Sequence, residues 1–268
     1  MSRFRASFIH LMISAAVVGS VLAVVYFIWY PGWYYQLVGV GGLLIILVGV
    51  DLVLGPALTL ILFRSGKPGL VFDLTVIAIV QLTALLYGAN AVFQQRPYFT
   101  VFVVDRFEVV RIKDIDPDDI LYASLKEKPL TKPVLVYAEQ PDDPQEFQAY
   151  LQSVLFEGQP DLDRRPEFWK PYTDGVDEVV AAAGRASHLR TVETGAAAKV
   201  DRALSRLDRE VNRVGYVPIS SQKLDFAMLV DLDTGEPMVA IDINPWFRDP
   251  DKVTGQSQGA GESPPDAG

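Results

Sequence analysis

The sequence predicts a membrane protein: three transmembrane α-helices followed by an α+β domain with antiparallel hairpins. Three observations carry this. Three apolar runs of spanning length open the chain, nearly all of its charge comes after them, and beyond residue 93 short β-branched runs alternate with helical stripes. The 268-residue chain holds 24 Lys+Arg and 33 Asp+Glu. Only Arg3, Arg5, Arg64, Lys67, Asp51 and Asp73 of these precede residue 94, so a lipid-like third meets an acidic remainder. That division excludes a cytosolic globular enzyme. The absence of Cys excludes disulfides, thiolate metal sites and a cysteine nucleophile. An acidic soluble part argues against nucleic acid, which needs a basic face.

Each apolar run is long enough for a bilayer, which takes about 20 helical residues. Phe8–Trp29 contains His10 as its sole ionisable group, Leu37–Phe63 contains Asp51, and Leu70–Phe93 contains Asp73. The first run is too long for a signal-peptide core and is followed by Trp29-Tyr30-Pro31-Gly32-Trp33-Tyr34-Tyr35, with no A-x-A cleavage pattern, so it reads as a retained anchor. Basic residues flank the N-terminus and the Arg64–Gly69 turn, while the Tyr30–Gln36 connector is uncharged. The positive-inside rule therefore sets the N-terminus in the cytoplasm and residues 94–268 on the far side, the periplasm in a two-membrane bacterium.

Polar groups within the spans are the candidate site. Counted from the cytoplasmic ends, Asp51 lies about 18 Å deep and Gln81 about 16 Å deep. A carboxyl at the midplane costs roughly 2.5–3.5 kcal/mol by insertion scales and needs a partner. Two readings stand: an Asp51–Gln81 hydrogen bond locking two helices, or a docking point for a polar group on another protein's helix. Gly55-Pro56 follows Asp51; Pro56 removes a backbone donor, kinks the helix and frees a carbonyl for Thr59 or a neighbour. Gly39, Gly41, Gly42 and Gly49 give the second span a small-residue surface for helix packing. His10 and Asp73 are expected near the cytoplasmic surface, snorkelling or paired with each other.

In the soluble part, Tyr98–Val104 and Phe107–Ile112 read as a hairpin turning at Asp105-Arg106. Asp116-Pro117 caps a short helix, and the calcium-loop alternative lacks the required glycine and terminal Glu. Lys132–Ala138 is a strand. Asp143–Phe156 is a helix with Phe147, Tyr150, Leu151, Val154 and Leu155 as its apolar face. Arg164–Thr173 is an ordered loop and Gly175–Ser187 an Ala-rich helix. Between Ala196 and Arg213, Val200, Leu204, Leu207 and Val211 form the buried side of a helix lying on a sheet. Phe226–Leu232 and Met238–Ile243 form a second hairpin, with Asp231 and Asp233 serving the turn. From Thr254 the composition predicts a disordered tail. The expected organisation is thus 1–93 transmembrane, 94–253 periplasmic and 254–268 tail. No G-x-S-x-G, phosphate loop or H-E-x-x-H is present, and His188 has no nucleophile beside it in sequence. The expectation is a non-enzyme without cofactor or metal.

Several motifs in order resemble the type IV pilin accessory proteins of the TfpX/TfpZ type. They are Arg5-Ala6-Ser7-Phe8-Ile9-His10-Leu11, Trp29-Tyr30-Pro31-Gly32, Gly49 through Leu60, and Lys67-Pro68-Gly69-Leu70 with Asp73-Leu74, Gln81-Leu82, Ala84-Leu85 and Tyr87-Gly88. Arg96-Pro97, the strand-like Val101–Val110 and a closing Asn244-Pro245-Trp246 continue the match. The resemblance is close over residues 3–115 and an outline beyond; Gln140–Val214 shows no family pattern. It implies a multi-pass inner-membrane protein that assists one cognate major type IV pilin, promoting its stability or assembly, with the assembly machinery as a further partner. Depth and charge add the expectation that the spans hold the pilin's hydrophobic N-terminal helix, with Asp51, Gly55, Pro56 and Gln81 as partner-binding residues and Asp51 facing the pilin's free amine, while the α+β domain touches the pilin head. A sensor or regulatory subunit with a periplasmic ligand domain is the alternative, and a transporter subunit a third. The cytoplasmic parts are too small to signal alone, and a single deep acid makes a poor conduit.

Overall fold

The computed structural model describes residues 2–127 and 131–246, so the predicted tail from Thr254 lies outside the described residues. Helix α1 (Arg3–Trp29) starts at Ser2, whose Oγ accepts from the Arg5 amide at 3.4 Å, and widens into a π-turn over Val25–Trp29. A short helix α2 (Tyr34–Val38) follows, then α3 (Gly41–Leu62), broken by a π-turn over Val50–Leu54, and α4 (Leu70–Gln94). By length and apolar composition α1, α3 and α4 are each able to cross a membrane. The expected second span, Leu37–Phe63, starts four residues too early. Gly39 adopts φ +65°, a left-handed conformation open to glycine, and this ends α2 before α3 begins.

The three long helices pack sparingly. Val18, Leu47 and Leu85 meet at mid-length; Val25, Tyr30, Val40, Leu44 and Val92 meet at the end nearest the sheet, where Tyr30 Oη donates to the Val92 carbonyl at 2.6 Å. Side chains such as Ile45, Ile61 and Val71 face outward, as a lipid-facing surface requires.

One mixed sheet follows. Its strands are β1 (Phe99–Val103), β2 (Arg106–Val110), β3 (Val134–Ala138), β4 (Trp169–Pro171), β5 (Gly184–Arg185), β6 (Val214–Ser220), β7 (Asp225–Asp231) and β8 (Pro237–Ile241). The order is β4-β3-β1-β2-β6-β7-β8, with β5 pairing β6. Both expected hairpins form antiparallel pairs, but β1–β3 and β2–β6 run parallel, so the sheet is not built of hairpins alone. The first hairpin turns at Val104-Asp105 rather than Asp105-Arg106: Arg106 already pairs with Val103, and Val104 takes φ +54°. Strand β6 carries no expectation from the sequence, because Gly215 and Pro218 interrupt its run. Pro218 falls between the residues that pair with β5 and those that pair with β2, so its missing amide breaks no continuous ladder on that side.

The sheet buries both faces. On one, Phe102, Phe107, Val217, Ile219, Phe226, Met228 and Val230 form a cluster that includes Tyr34 and Leu37 of α2. On the other, Phe99, Val101 and Val136 pack under Trp169 and helix α5 (Pro144–Phe156). Beside them, Val214, Ala227 and Leu229 lie under a short helix α7 (Ala186–Leu189) and helix α8 (Ala196–Leu207). Helix α6 (Val176–Ala182) contributes Val179 to the first face. The Ala-rich helix expected over Gly175–Ser187 is thus split, since Gly184 passes into β5. A Cβ there would sit 2.5 Å from the Tyr216 ring, a close approach that requires glycine.

Two amphipathic expectations meet different outcomes. In α8, Val200 and Leu204 are buried against the sheet and Leu207 is partly buried, as the stripe predicts, but the helix ends there: Asp208 takes φ +52°, and Val211 packs on the same cluster from a separate turn. In α5, Phe147, Tyr150 and Val154 pack inward, but Leu151 and Leu155 do not; Leu155 is 69% exposed. That part of the apolar face stands in solvent because the sheet beneath α5 is reached only through its Phe147–Tyr150–Val154 side. The acids near both hairpin ends serve local geometry: Asp116 accepts from the Asp118 amide, and Asp231 Oδ1 accepts from the amides of Asp233 and Thr234.

Candidate functional site

Asp51 and Gln81 do meet between α3 and α4, and the sequence-predicted Gly55 and Pro56 lie beside them. The contact is built mostly from the backbone. In a π-turn the Asp51 carbonyl looks to the amide five residues on, which is Pro56 and has none. Gln81 Nε2 fills that position, donating to the Asp51 carbonyl at 3.2 Å and lying 3.5 Å from Asp51 Oδ1. Gly55 makes this approach possible. A Cβ at that position would stand 1.9 Å from Gln81 Nε2 and 2.5 Å from its Cδ.

The cluster extends to α1 through a residue the sequence reading set aside. His10 neither snorkels nor pairs with Asp73; Asp73 is bonded to Lys67 instead. His10 Nε2 lies 2.7 Å from Gln81 Oε1, and His10 Nδ1 lies 2.6 Å from Thr59 Oγ1. Because Gln81 gives its amide nitrogen to Asp51, its oxygen must accept, so His10 Nε2 carries the proton and Nδ1 accepts from Thr59. A directed chain results: Thr59 hydroxyl to His10, His10 to Gln81, Gln81 to the Asp51 carbonyl. Ser7, one turn before His10, donates to the Pro56 carbonyl at 2.8 Å, taking up a lone pair just after the π-turn. The signal for His10 was available in the sequence, since Ser7 and His10 share a helix face at i, i+3.

Asp51 is 4% exposed, and its Oδ2 has no hydrogen-bond partner among the described residues. Thr59, Gly55 and Pro56 are buried as well. The arrangement ties three helices through polar groups at one level and leaves one carboxyl oxygen unsatisfied in an apolar surrounding. The small-residue positions expected on the second span divide. Gly39 and Gly41 face Lys223 and Tyr35, whereas Gly42 and Gly49 have nothing within 4 Å.

A second group of carboxyls lies in the sheet domain. Asp163, following α5, is buried, and burial pushes its carboxyl up to about 6, with Arg164 pulling it down. Glu108 on β2 is raised too, by burial first and then by the charge of Asp163, while Arg106 Nε at 3.0 Å opposes this. An acid raised in the folded chain binds its proton more tightly there than when unfolded. Its stabilising contribution is therefore complete below about pH 4 and is lost as the pH rises through about 6. The thermal midpoint of the full-length protein in detergent is expected to rise between pH 7 and pH 4, by at most about 3 kcal/mol of stability from this group. Asp163→Asn should flatten that rise; an unchanged profile in the variant would remove Asp163 as its source.

Comparison with known proteins extends this picture. The family described as "Fimbrial assembly protein FimB" matches residues 1–39, the stretch that carries Ser7 and His10. Two Dichelobacter nodosus proteins, "Fimbrial assembly protein, serogroup I" and "Fimbrial assembly protein, serogroup E1", are each 24% identical over 233 residues, covering 85% of this chain and 90% of each relative. A third from the same organism, "Fimbrial assembly protein, serogroups C1 and C2", is 30% identical over 118 residues, 43% of this chain and 90% of its own length. No solved structure matches.

Proposed function

The chain belongs to the fimbrial assembly protein family, and from that premise we propose that it is a non-enzymatic accessory protein of the bacterial inner membrane that binds one major type IV pilin and promotes its stability or its assembly into pili. The observation that carries this reading is the similarity to fimbrial assembly proteins along most of the chain. In this reading α1, α3 and α4 cross the bilayer, the N-terminus lies in the cytoplasm and the sheet domain in the periplasm. The pilin's apolar N-terminal helix lies against the bundle while the pilin head meets the sheet domain.

The outer strip of α3 suits such a helix. Gly42, Ile45, Ile46 and Gly49 recur at helical spacing, and the two glycines lack neighbours, so a partner backbone can come close and gain dispersion contacts there. Asp51, Gly55, Pro56 and Gln81 fix the bundle that presents this strip. The unsatisfied Asp51 Oδ2 adds a reason for a donor on the partner helix, the pilin amine foremost, to be drawn between the spans.

The test is a crosslinked pull-down of the tagged protein from its native membrane, expected to recover one major pilin; recovery of a kinase or transport ATPase in its place would overturn the proposal. Point variants then separate the two roles of the cluster. Asp51→Asn keeps size and hydrogen-bonding capacity, so the accessory protein's own level should stay within about twofold while surface piliation drops. Gln81→Leu removes the link among three helices, so the accessory protein itself should be lost. Normal pilin level and piliation in both variants would end the intramembrane docking idea.

A further inference from the structure

Where α3 and α4 meet the sheet, the structure holds a cavity of about 270 Å³ with a mixed lining. Val38 of α2, Val40 and Leu43 around the start of α3, and Val109 of β2 supply its apolar part. Gln95, Arg111, Ser221, Gln222 and Lys223 supply its polar part. The charges there do not cancel. Arg111 is matched by Asp114, at 2.6 and 2.7 Å, and also donates to Gln95. Lys223 Nζ donates to the Gly39 carbonyl at 3.0 Å and makes no ion pair among the described residues. In a soluble part where acids outnumber bases, an unmatched cation is held by backbone contact at the junction of two long apolar helices. Close by, Arg96 lies 4.1 Å over the Phe93 ring at the end of α4.

We infer that this cavity binds an anionic phospholipid, with its phosphate on Lys223 and the Arg111 side and its acyl chains running down Val40 and Leu43. The inference rests on the reading that α1, α3 and α4 span a bilayer, since that reading sets the cavity at headgroup level. The chemistry is selective on both ends. A free phosphate lacks the apolar half, and a neutral diacylglycerol lacks the charge that Lys223 calls for. A bound lipid would clamp α2, α3 and the Ser221–Leu224 turn together, because Ser221 Oγ and Lys223 Nζ already reach the Leu37 and Gly39 carbonyls.

The experiment follows thermal unfolding of the full-length protein in neutral detergent, using tryptophan fluorescence. Dioleoylphosphatidylglycerol at about ten times its dissociation constant should raise the midpoint by about 2–4 °C. Dioleoylglycerol and inorganic phosphate should not. Lys223→Gln should abolish the rise and Lys223→Arg should keep it. Gln222→Glu, which adds an opposing charge at an exposed position, should abolish it without touching Lys223. An equal rise with dioleoylglycerol, a rise with inorganic phosphate, or an undiminished rise in both Lys223→Gln and Gln222→Glu would overturn the assignment. Vesicle flotation separates this from its premise: the protein should float whether or not Lys223 is replaced, and failure of the unsubstituted protein to float would remove the bilayer reading itself.

Discussion

Alanine at Gly55 is expected to lower the thermal midpoint of the full-length protein by roughly 5–10 °C, although it adds a single methyl group. The added Cβ would stand 1.9 Å from Gln81 Nε2. Gln81 is long and flexible, so it escapes by rotating rather than by forcing helices apart. The cost lies in what it leaves. His10 Nε2 loses its acceptor, the Asp51 carbonyl loses its donor, and Pro56 offers no amide to replace it. Hydrogen bonds between apolar helices are each worth about 0.6–2 kcal/mol, and polar groups left unpaired in an apolar surrounding push the loss upward, so about 2–4 kcal/mol is the expected total. Gly49→Ala is the control: its Cβ would meet nothing within 4 Å, and stability should not change. A double-mutant cycle sharpens the test. Once Gln81→Ala has emptied the site, Gly55→Ala should add almost nothing. If the two losses simply sum, or if Gly49→Ala costs as much, then a general intolerance of side chains along α3 and not the polar cluster explains glycine at this position, since helix propensity alone favours alanine.

How far this cluster can be read from the sequence depends on what kind of information each member carries. Asp51 and Gln81 stand out because a polar group in an apolar run is costly anywhere, and matching depth on antiparallel helices is a matter of counting. The bond that joins them is less legible. It runs mainly to the Asp51 backbone, and a π-turn has no side-chain signature apart from Pro56, whose missing amide follows from its identity. His10 was misplaced because depth was counted from the helix end, whereas its partners lie across the bundle on Thr59 and Gln81. The sheet shows the same division. Strands β1, β2, β3, β7 and β8 lie in short apolar runs bounded by turn residues, and the sequence predicts each of them. Strand β6, interior in the strand order, carries no such signal, because Gly215 and Pro218 are residues that strands ordinarily avoid. Their presence is a tertiary matter: Gly215 passes close to Leu232 and Ala183, and Pro218 falls between the residues that pair with β5 and those that pair with β2. Leu155 failed in the opposite direction, since periodicity finds a helix face but not how much of that face the sheet beneath it can cover.

Leu37→Ala carries the other large expected effect, about 2–5 kcal/mol, and its location makes it informative. By sequence Leu37 opens a membrane span, where trimming a lipid-facing leucine removes few contacts. In the fold it is fully buried against Phe102, Phe107 and the strands β6 and β7, at 0% exposure. Tyr34, one helical turn away, is held in the same core by the hydrogen bond between its hydroxyl and Thr100 Oγ1 at 2.6 Å. The connector between the first two long helices is therefore a structural part of the sheet domain, inserted from ahead of it in sequence. Ile45→Ala, at a position 74% exposed on α3, should change stability by less than about 0.5 kcal/mol in detergent. A chain starting at residue 94 has a larger defect, because it uncovers the face bearing Phe102, Phe107, Phe226 and Met228. Such a chain should aggregate or bind hydrophobic dyes, although it contains every strand. A stable monomer would show that α2 is dispensable and that the soluble part folds without the helices before it. Should it aggregate as expected, anything that shifts α1 against α3 also reaches the sheet, through Tyr34 and Leu37. Events at the polar cluster and in the sheet domain would then share one connection.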